Sequence, residues 1–431
     1  GMRGVNTASQ TDSTEFLEIY NPTAATVDLS TYYLSDVNGY SALPVAGTID
    51  AQASAAWTGS ISNVKASSNV VMKGVLIAKN KEASQSFPLH ADVKALYDGS
   101  RNLITVPASN IQLPATNITA QGTVGNRSNL AVKAVSSNLH QLMLLAAAFQ
   151  TSPQGQGGSS SMPNVQGAAT LNATVQGTLQ NPKITGQFSA TKLQVNQGQF
   201  SSLQLALTAS QSGIEIQNGS LSALPRGHLQ FSGRTGLRKW AYNPAAPIAA
   251  SLQVRQMPLA MLDQIATKTY PIVGDLDGSV EVKGTGLNPV GQGKLQVTKA
   301  RVQDEPLQTL TLQFRASDGT VRSQLTEGSN KVSLNFTPKT KAYEVKLEVP
   351  QQEVSKLHTF QAKNIPVKGL LSISANGAGT LDDPKLSATI QMQKLQLRQT
   401  SVDQVRVDLN IAQHIAKLAL ASTGGPADLR G

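Results

Sequence analysis

The chain has 431 residues, 40% of them hydrophobic and 14% charged, which is length for roughly two to four ordinary domains but lean composition for one compact core. Cysteine is absent, which excludes a disulfide framework and any thiolate metal site and leaves the redox compartment open. The net charge of +10 comes from 36 basic and 26 acidic residues scattered along the chain, as on a solvated polar face, and no window resembles an RNA-recognition sheet or an arginine-rich arm, so no nucleic-acid partner is expected.

In chain order, residues 1–43 precede the first segment of regular pattern. A first module, 44–150, opens with Pro44 and Gly47 and has Trp57 and Gly59 further on. It closes on SNLHQLMLLAAAF, where Leu139, Leu142, Met143, Leu145 and Ala146 recur at helical spacing. The nearly apolar run there is about half the roughly 20 residues that a membrane span needs. Residues 151–162 are rich in Gly, Ser and Gln and read as a linker. The GQGGSSS within them lacks the lysine and the strand-loop-helix setting of a phosphate loop.

A second module, 163–270, opens with Pro163 and Gly167, carries QGTLQNPKITG and ends on MPLAMLDQIA, where Leu259, Leu262 and Ile265 recur every three. A third, 271–365, opens with Pro271 and Gly274, carries KGTGLNPVGQG and ends on QQEVSKLHTF. A fourth, 366–431, opens with Pro366 and Gly369, carries AGTLDDPKLSA and stops early.

Aligned on Pro182, Pro289 and Pro384, these modules agree without a gap over some forty positions. Five residues before the proline stand Gly177, Gly284 and Gly379, each followed by Thr; ten residues past it stand Lys192, Lys299 and Lys394. Such agreement is internal duplication. The Gly-Thr-x-x-Asn/Asp-Pro signature reads as punctuation, with one strand ending and the next beginning.

Between the glycines, apolar and polar residues alternate, the period of a strand with one dry and one wet face. In the third module the dry set is Val280, Val282, Leu295, Val297, Leu310, Leu312, Phe314, Val332, Leu334, Phe336, Val345, Leu347 and Val349. Turn-formers such as SDGT at Ser317, TEGSN at Thr326 and QNGS at Gln217 separate the strands. The expectation is an all-β chain of antiparallel hairpins, about eight strands and then a short helix per module. Two dozen half-apolar strands expose far more dry face than three or four helices cover, at about 1.5–3 kcal/mol for each large aliphatic side chain. That face must pack on another sheet, close on itself or hold an apolar ligand. Aromatics are only 4% of the chain, so the lining is aliphatic, which suits acyl chains better than sugars or bases.

The Pro-x-x-Gly opening, the Gly-Thr-x-x-Asn/Asp-Pro signature, the closing helix written MPLAMLDQIA, and the Trp-Thr-Gly within residues 47–79 together resemble the AsmA-like and TamB-type proteins of the Gram-negative envelope. The resemblance covers residue 44 onward. It implies a long, open, taco-like, twisted β-groove with short helices at module ends, and with the thirteen dry residues above as lipid-binding lining. It further implies non-enzymatic, bridge-like transport of phospholipid across the periplasm between inner and outer membranes. An outer-membrane barrel assembly protein is the implied partner, and an inner-membrane anchor helix, absent from this chain, the implied tether. Without that helix, and with the last module cut short, the chain reads as an internal fragment. The alternative is a structural or adhesive β-repeat protein of the envelope with a closed, dry core. Residues 14–36, TEFLEIYNPTAATVDLSTYYLSD, separately resemble the opening of a lamin-tail domain, so residues 1–43 read as a fragment of such a domain, as edge strands or as an appendage.

No catalytic residue, metal site or cofactor is expected. The five histidines, His90, His140, His228, His358 and His414, share no metal-ligand spacing. GDLDG at Gly274 has too few carboxylates for a calcium cage and reads as a turn between strands. The lysine that recurs past each proline has two readings: protection of an exposed strand edge, which is favoured, or contact with phosphate headgroups at a groove rim.

Overall fold

A computed structural model describes residues 45–58, 60–79, 84–148, 164–178, 180–266, 271–303, 305–362, 364–397, 400–412 and 415–425. The lamin-tail-like stretch and the 151–162 linker lie outside these residues.

The first strands are β1 (Val45–Ala56), β2 (Lys65–Lys79), β3 (Ser84–Asp98), β4 (Leu103–Leu113), β5 (Thr116–Gly125) and β6 (Ser128–Ser136), followed by α1 (Leu139–Ala148). Next come β7 (Val165–Gly177), β8 (Pro182–Val195), β9 (Gly198–Ser210), β10 (Gly213–Ala223), β11 (His228–Arg238), the two-residue β12 (Ala241–Tyr242), β13 (Pro247–Pro258) and α2 (Ala260–Ala266). Then follow β14 (Ile272–Thr285), β15 (Pro289–Val302), the two-residue β16 (Glu305–Pro306), β17 (Leu310–Ser317), β18 (Thr320–Glu327), β19 (Asn330–Thr337) and β20 (Ala342–Glu353). A 3-10 turn at Val354–Lys356 leads into α3 (His358–Ala362), and β21 (Val367–Thr380), β22 (Pro384–Leu397), β23 (Thr400–Ala412) and β24 (Ile415–Thr423) complete the described chain.

Every strand pairs antiparallel with its successor, except that β11 pairs past β12 to β13, and β15 past β16 to β17. The ladder runs unbroken through the pairs β6–β7, β13–β14 and β20–β21, so the ends of the sequence repeats are not breaks in the sheet. Strands β1 and β24 have one ladder partner each among the described residues, so the 24-stranded sheet is open. The repeat unit is shorter than the expected eight strands: six full-length strands, with one two-residue strand, separate α1 from α2 and α2 from α3. Six is even, so an antiparallel meander returns to the same side before each helix. All three helices therefore stand along one rim, and the Gly-Thr-x-x-Asn/Asp-Pro segments along the other.

Those segments form the same hairpin three times. Gly177 faces Pro182, Gly284 faces Pro289 and Gly379 faces Pro384 across the ladder, with a four-residue loop between. In each loop the amide of the Asn or Asp donates to the threonine hydroxyl: Asn181 to Thr178 at 3.0 Å, Asn288 to Thr285 at 3.0 Å, Asp383 to Thr380 at 3.1 Å. The glycine is required because its φ is positive, and because a Cβ on Gly284 would lie 2.5 Å from the carbonyl oxygen of Asn288.

The recurrent lysines mark a second shared feature. Lys192, Lys299 and Lys394 have φ of 50°, 52° and 52°, and each falls where the ladder slips by one residue opposite Gly167, Gly274 or Gly369. These are β-bulges. The extra residue shifts the alternation, so that the inward side chains run Ala190 then Leu193 and Val297 then Ala300, and the lysine stays outside. Edge protection is thereby corrected: β8, β15 and β22 are interior strands with partners on both sides. Asp318–Gly319 and Gly328–Ser329 do form hairpin turns. QNGS does not, because it lies within β10, where Asn218 at φ 51° accompanies another bulge.

Buried apolar residues form two clusters, a smaller one around Leu89 and Leu113 on β3 and β4 and a larger one beneath two helices. Ala169, Ala190, Leu193, Phe200, Val254 and Met257 are covered by Leu139 from α1 and Met261 from α2. Helix α1 begins where the Asn138 side chain accepts the amide of His140 at 3.1 Å, a local cap. Helix α2 ends where the side chain of Asn196 donates to the carbonyl of Ile265 at 2.6 Å, satisfying an orphan acceptor of the last turn. Helix α3 has only five residues; Glu305 clamps its start, accepting the amides of His358 at 2.9 Å and Thr359 at 2.8 Å.

Candidate functional site

Residues paired across a ladder share a face, so the register decides which side chains lie together. One line of paired residues crosses sixteen strands: Ala169, Ala190, Leu203, Leu221, Leu229, Val254, Gly278, Leu295, Leu312, Leu325, Val332, Leu347, Ala375, Ala388, Leu409 and Leu418. Fifteen steps of about 4.8 Å make a line roughly 70 Å long, aliphatic except at Gly278 and covered by α1 and α2 at its β7–β13 end. A parallel line pairs Val280, Gly293, Phe314, Ser323, Leu334, Val345, Gly377 and Leu386. Val282 and Phe336 belong to a third line, with Gly291, Ala316 and Val321 between them. Val297 pairs with Leu310, and Val349 with Ile373. All thirteen residues selected from the alternation thus stand on one face.

None of the thirteen reaches the burial of Ala190 or Phe200 beneath the helices, which are 1% and 2% exposed; twelve are half-buried and Leu334 is 36% exposed. Their neighbours in sequence, such as Gln292, Lys294, Gln313, Asn335 and Lys346, are exposed on the opposite face. Beyond β16 the apolar face is therefore a continuous, half-open surface, with its aliphatic side chains shielded mainly by one another.

Two depressions in the sheet lie on the other, polar face. One of ≈ 660 Å³ is bordered by Gln292, Lys294, Gln313, Arg315, Arg322 and Asn335, among others. A second of ≈ 350 Å³ is bordered by Glu348, Ser374, Thr389 and Gln391, among others. Of the thirteen apolar residues only Val280, Phe314 and Val349 touch either one. Sequence alternation separates the two faces but carries no sign of which way the sheet hollows. It also missed this polar hollow, whose one visible signal is a pair of arginines near the SDGT turn.

The GDLDG segment is corrected as well: it lies inside β14, not in a turn. Asp275 is buried, with Arg226 Nη2 at 2.5 Å and Lys299 Nζ at 3.4 Å from its carboxylate oxygens. The Arg226 hydrogen bond, assisted by Lys299, outweighs burial and holds this carboxyl below the usual aspartate range. Asp277 accepts the amide of Gln256 at 2.9 Å. Both aspartates are thus engaged by the protein, and no group of three or more potential metal-ligating side chains exists among the described residues. No described helix is long and apolar enough to cross a membrane.

No protein-family model, curated protein or solved structure matches this chain.

Proposed function

We propose that the chain carries phospholipid along its apolar face, without catalysis, as a segment of an AsmA-like or TamB-type bridge between the inner and outer membranes of a Gram-negative envelope. The observation that supports this reading is the aliphatic line from Ala169 to Leu418, roughly 70 Å long at strand spacing, on an open sheet where its members beyond β16 remain half-exposed. Acyl chains would lie against it by hydrophobic transfer, while headgroups stay in water. Because the surface repeats from strand to strand, a lipid meets many similar weak sites and no single tight one, as movement in one dimension requires. An outer-membrane barrel assembly protein and an inner-membrane tether are the partners that such a role calls for.

The alternation supplies the test. Leu312→Asp or Leu334→Asp places a charge on the apolar face and should abolish lipid passage in a complementation or vesicle-transfer assay. Gln313→Asp and Asn335→Asp, on the polar face, should leave it intact; equal transport by all four variants would sink the proposal. Mass spectrometry of gently purified protein gives a second readout: a carrier arrives with phospholipid, whereas a purely structural repeat arrives without it.

A further inference from the structure

We infer that the polar-face depression between β13 and β19 is a binding site for a phosphate-class oxoanion, held by Arg315 and Arg322. Arg315 on β17 and Arg322 on β18 are direct cross-strand partners. Two like charges placed opposite each other in an antiparallel pair repel, and the arrangement costs stability unless something neutralises it. Counter-charges are present on the same ladder line but one strand too far away: Glu281 is separated from Arg315 by Gln292, and Glu344 from Arg322 by Asn335. Glu344 is already engaged, accepting from the Asn335 amide at 3.1 Å.

Among the described residues neither arginine forms an ion pair; Arg322 donates to the Ser317 hydroxyl at 3.3 Å, and Lys294 on the same border has no acidic partner. Elsewhere on this face the strands do supply such partners, as Lys346 with Glu348 at 2.5 Å and Arg406 with Asp408 at 2.7 Å. The arginine pair borders the ≈ 660 Å³ depression together with Lys294, the amide side chains of Gln292, Gln313 and Gln324, and one carboxylate, Glu281, which forms no ion pair with either arginine. Guanidinium groups match the geometry of a tetrahedral oxoanion through paired N–H donors, and neighbouring amides supply further donors. The site lies on the face opposite the aliphatic lines and does not depend on the lipid proposal.

The experiment compares the full chain with R315Q, R322Q, the double variant and the control R301Q, on β15 outside the depression. At low ionic strength without phosphate, R315Q and R322Q should each unfold at a higher temperature than the parent, because repulsion is relieved. Inorganic phosphate, at ionic strength matched with chloride, should raise the midpoint of the parent and of R301Q more than that of the double variant. Pyrophosphate should show ³¹P line broadening with the parent that the double variant loses. Sedimentation with phosphatidylglycerol vesicles, against phosphatidylcholine vesicles, tells the sources apart: binding lost in the double variant assigns a lipid headgroup, and no vesicle binding assigns a free phosphate compound. An equal phosphate response in parent and double variant, or single variants less stable than the parent without phosphate, would overturn the inference.

Discussion

Asp275 is a buried carboxylate held between two cations. Its carboxylate, 10% exposed, joins the segment carrying Arg226 to the bulge at Lys299, while both cations remain largely in water and are screened accordingly. Its pKa in the folded chain lies below the ordinary value of 3.8. The stabilisation it contributes is therefore present above that value and is lost as pH falls through the lower, folded pKa. Asp275→Asn should flatten the acid side of the stability profile: between neutral pH and pH ~3 the parent should lose more unfolding free energy than the variant. Identical acid slopes in denaturant titrations would rule out this linkage. The residue was visible in the sequence only as one of two aspartates in GDLDG. Its partners lie 49 positions before it and 24 after it, a distance that local pattern does not bridge.

At the scale of elements, the hairpin written Gly-Thr-x-x-Asn/Asp-Pro was the most legible feature, because everything that shapes it lies within six consecutive residues. Threonine caps the loop, proline begins a strand without donating to the ladder, and glycine takes the backbone angle and the close approach. Gly284→Ala should cost about 1–3 kcal/mol, from positive φ and contact with the Asn288 carbonyl. Gly233→Ala, in β11, meets nothing closer than 3.4 Å and should be near neutral. Thermal unfolding midpoints of the two variants check the contrast, and comparable losses would refute it. The bulges were less legible. Their two halves, such as Gly274 and Lys299, recur in the sequence at fixed offsets, but only the ladder shows that they meet. Strict alternation would place the lysine on the dry face, and the extra residue of the bulge is what turns it outward.

At the scale of the whole sheet, the open meander leaves β1 and β24 as edges among the described residues. On β24, Ile415, Leu418 and Leu420 are 57%, 69% and 43% exposed on a strand whose one ladder partner among the described residues is β23, a combination that invites pairing with another strand. Leu418→Lys should reduce concentration-dependent self-association of the chain, followed by sedimentation velocity. An unchanged association constant would place the contact elsewhere.

The strands, their two faces, the hairpin punctuation and the aliphatic identity of the dry side were all legible in the residues, because a period of two residues and a six-residue turn are local properties. The open sheet, which the alternation left undecided and the family resemblance implied, is what the ladder shows; that six strands separate successive helices, and that the hollow lies on the polar face around two opposed arginines, became visible only in the fold. Those outcomes come from small twists and one-residue slips summed over many ladder pairs. No single stretch of chain encodes that sum.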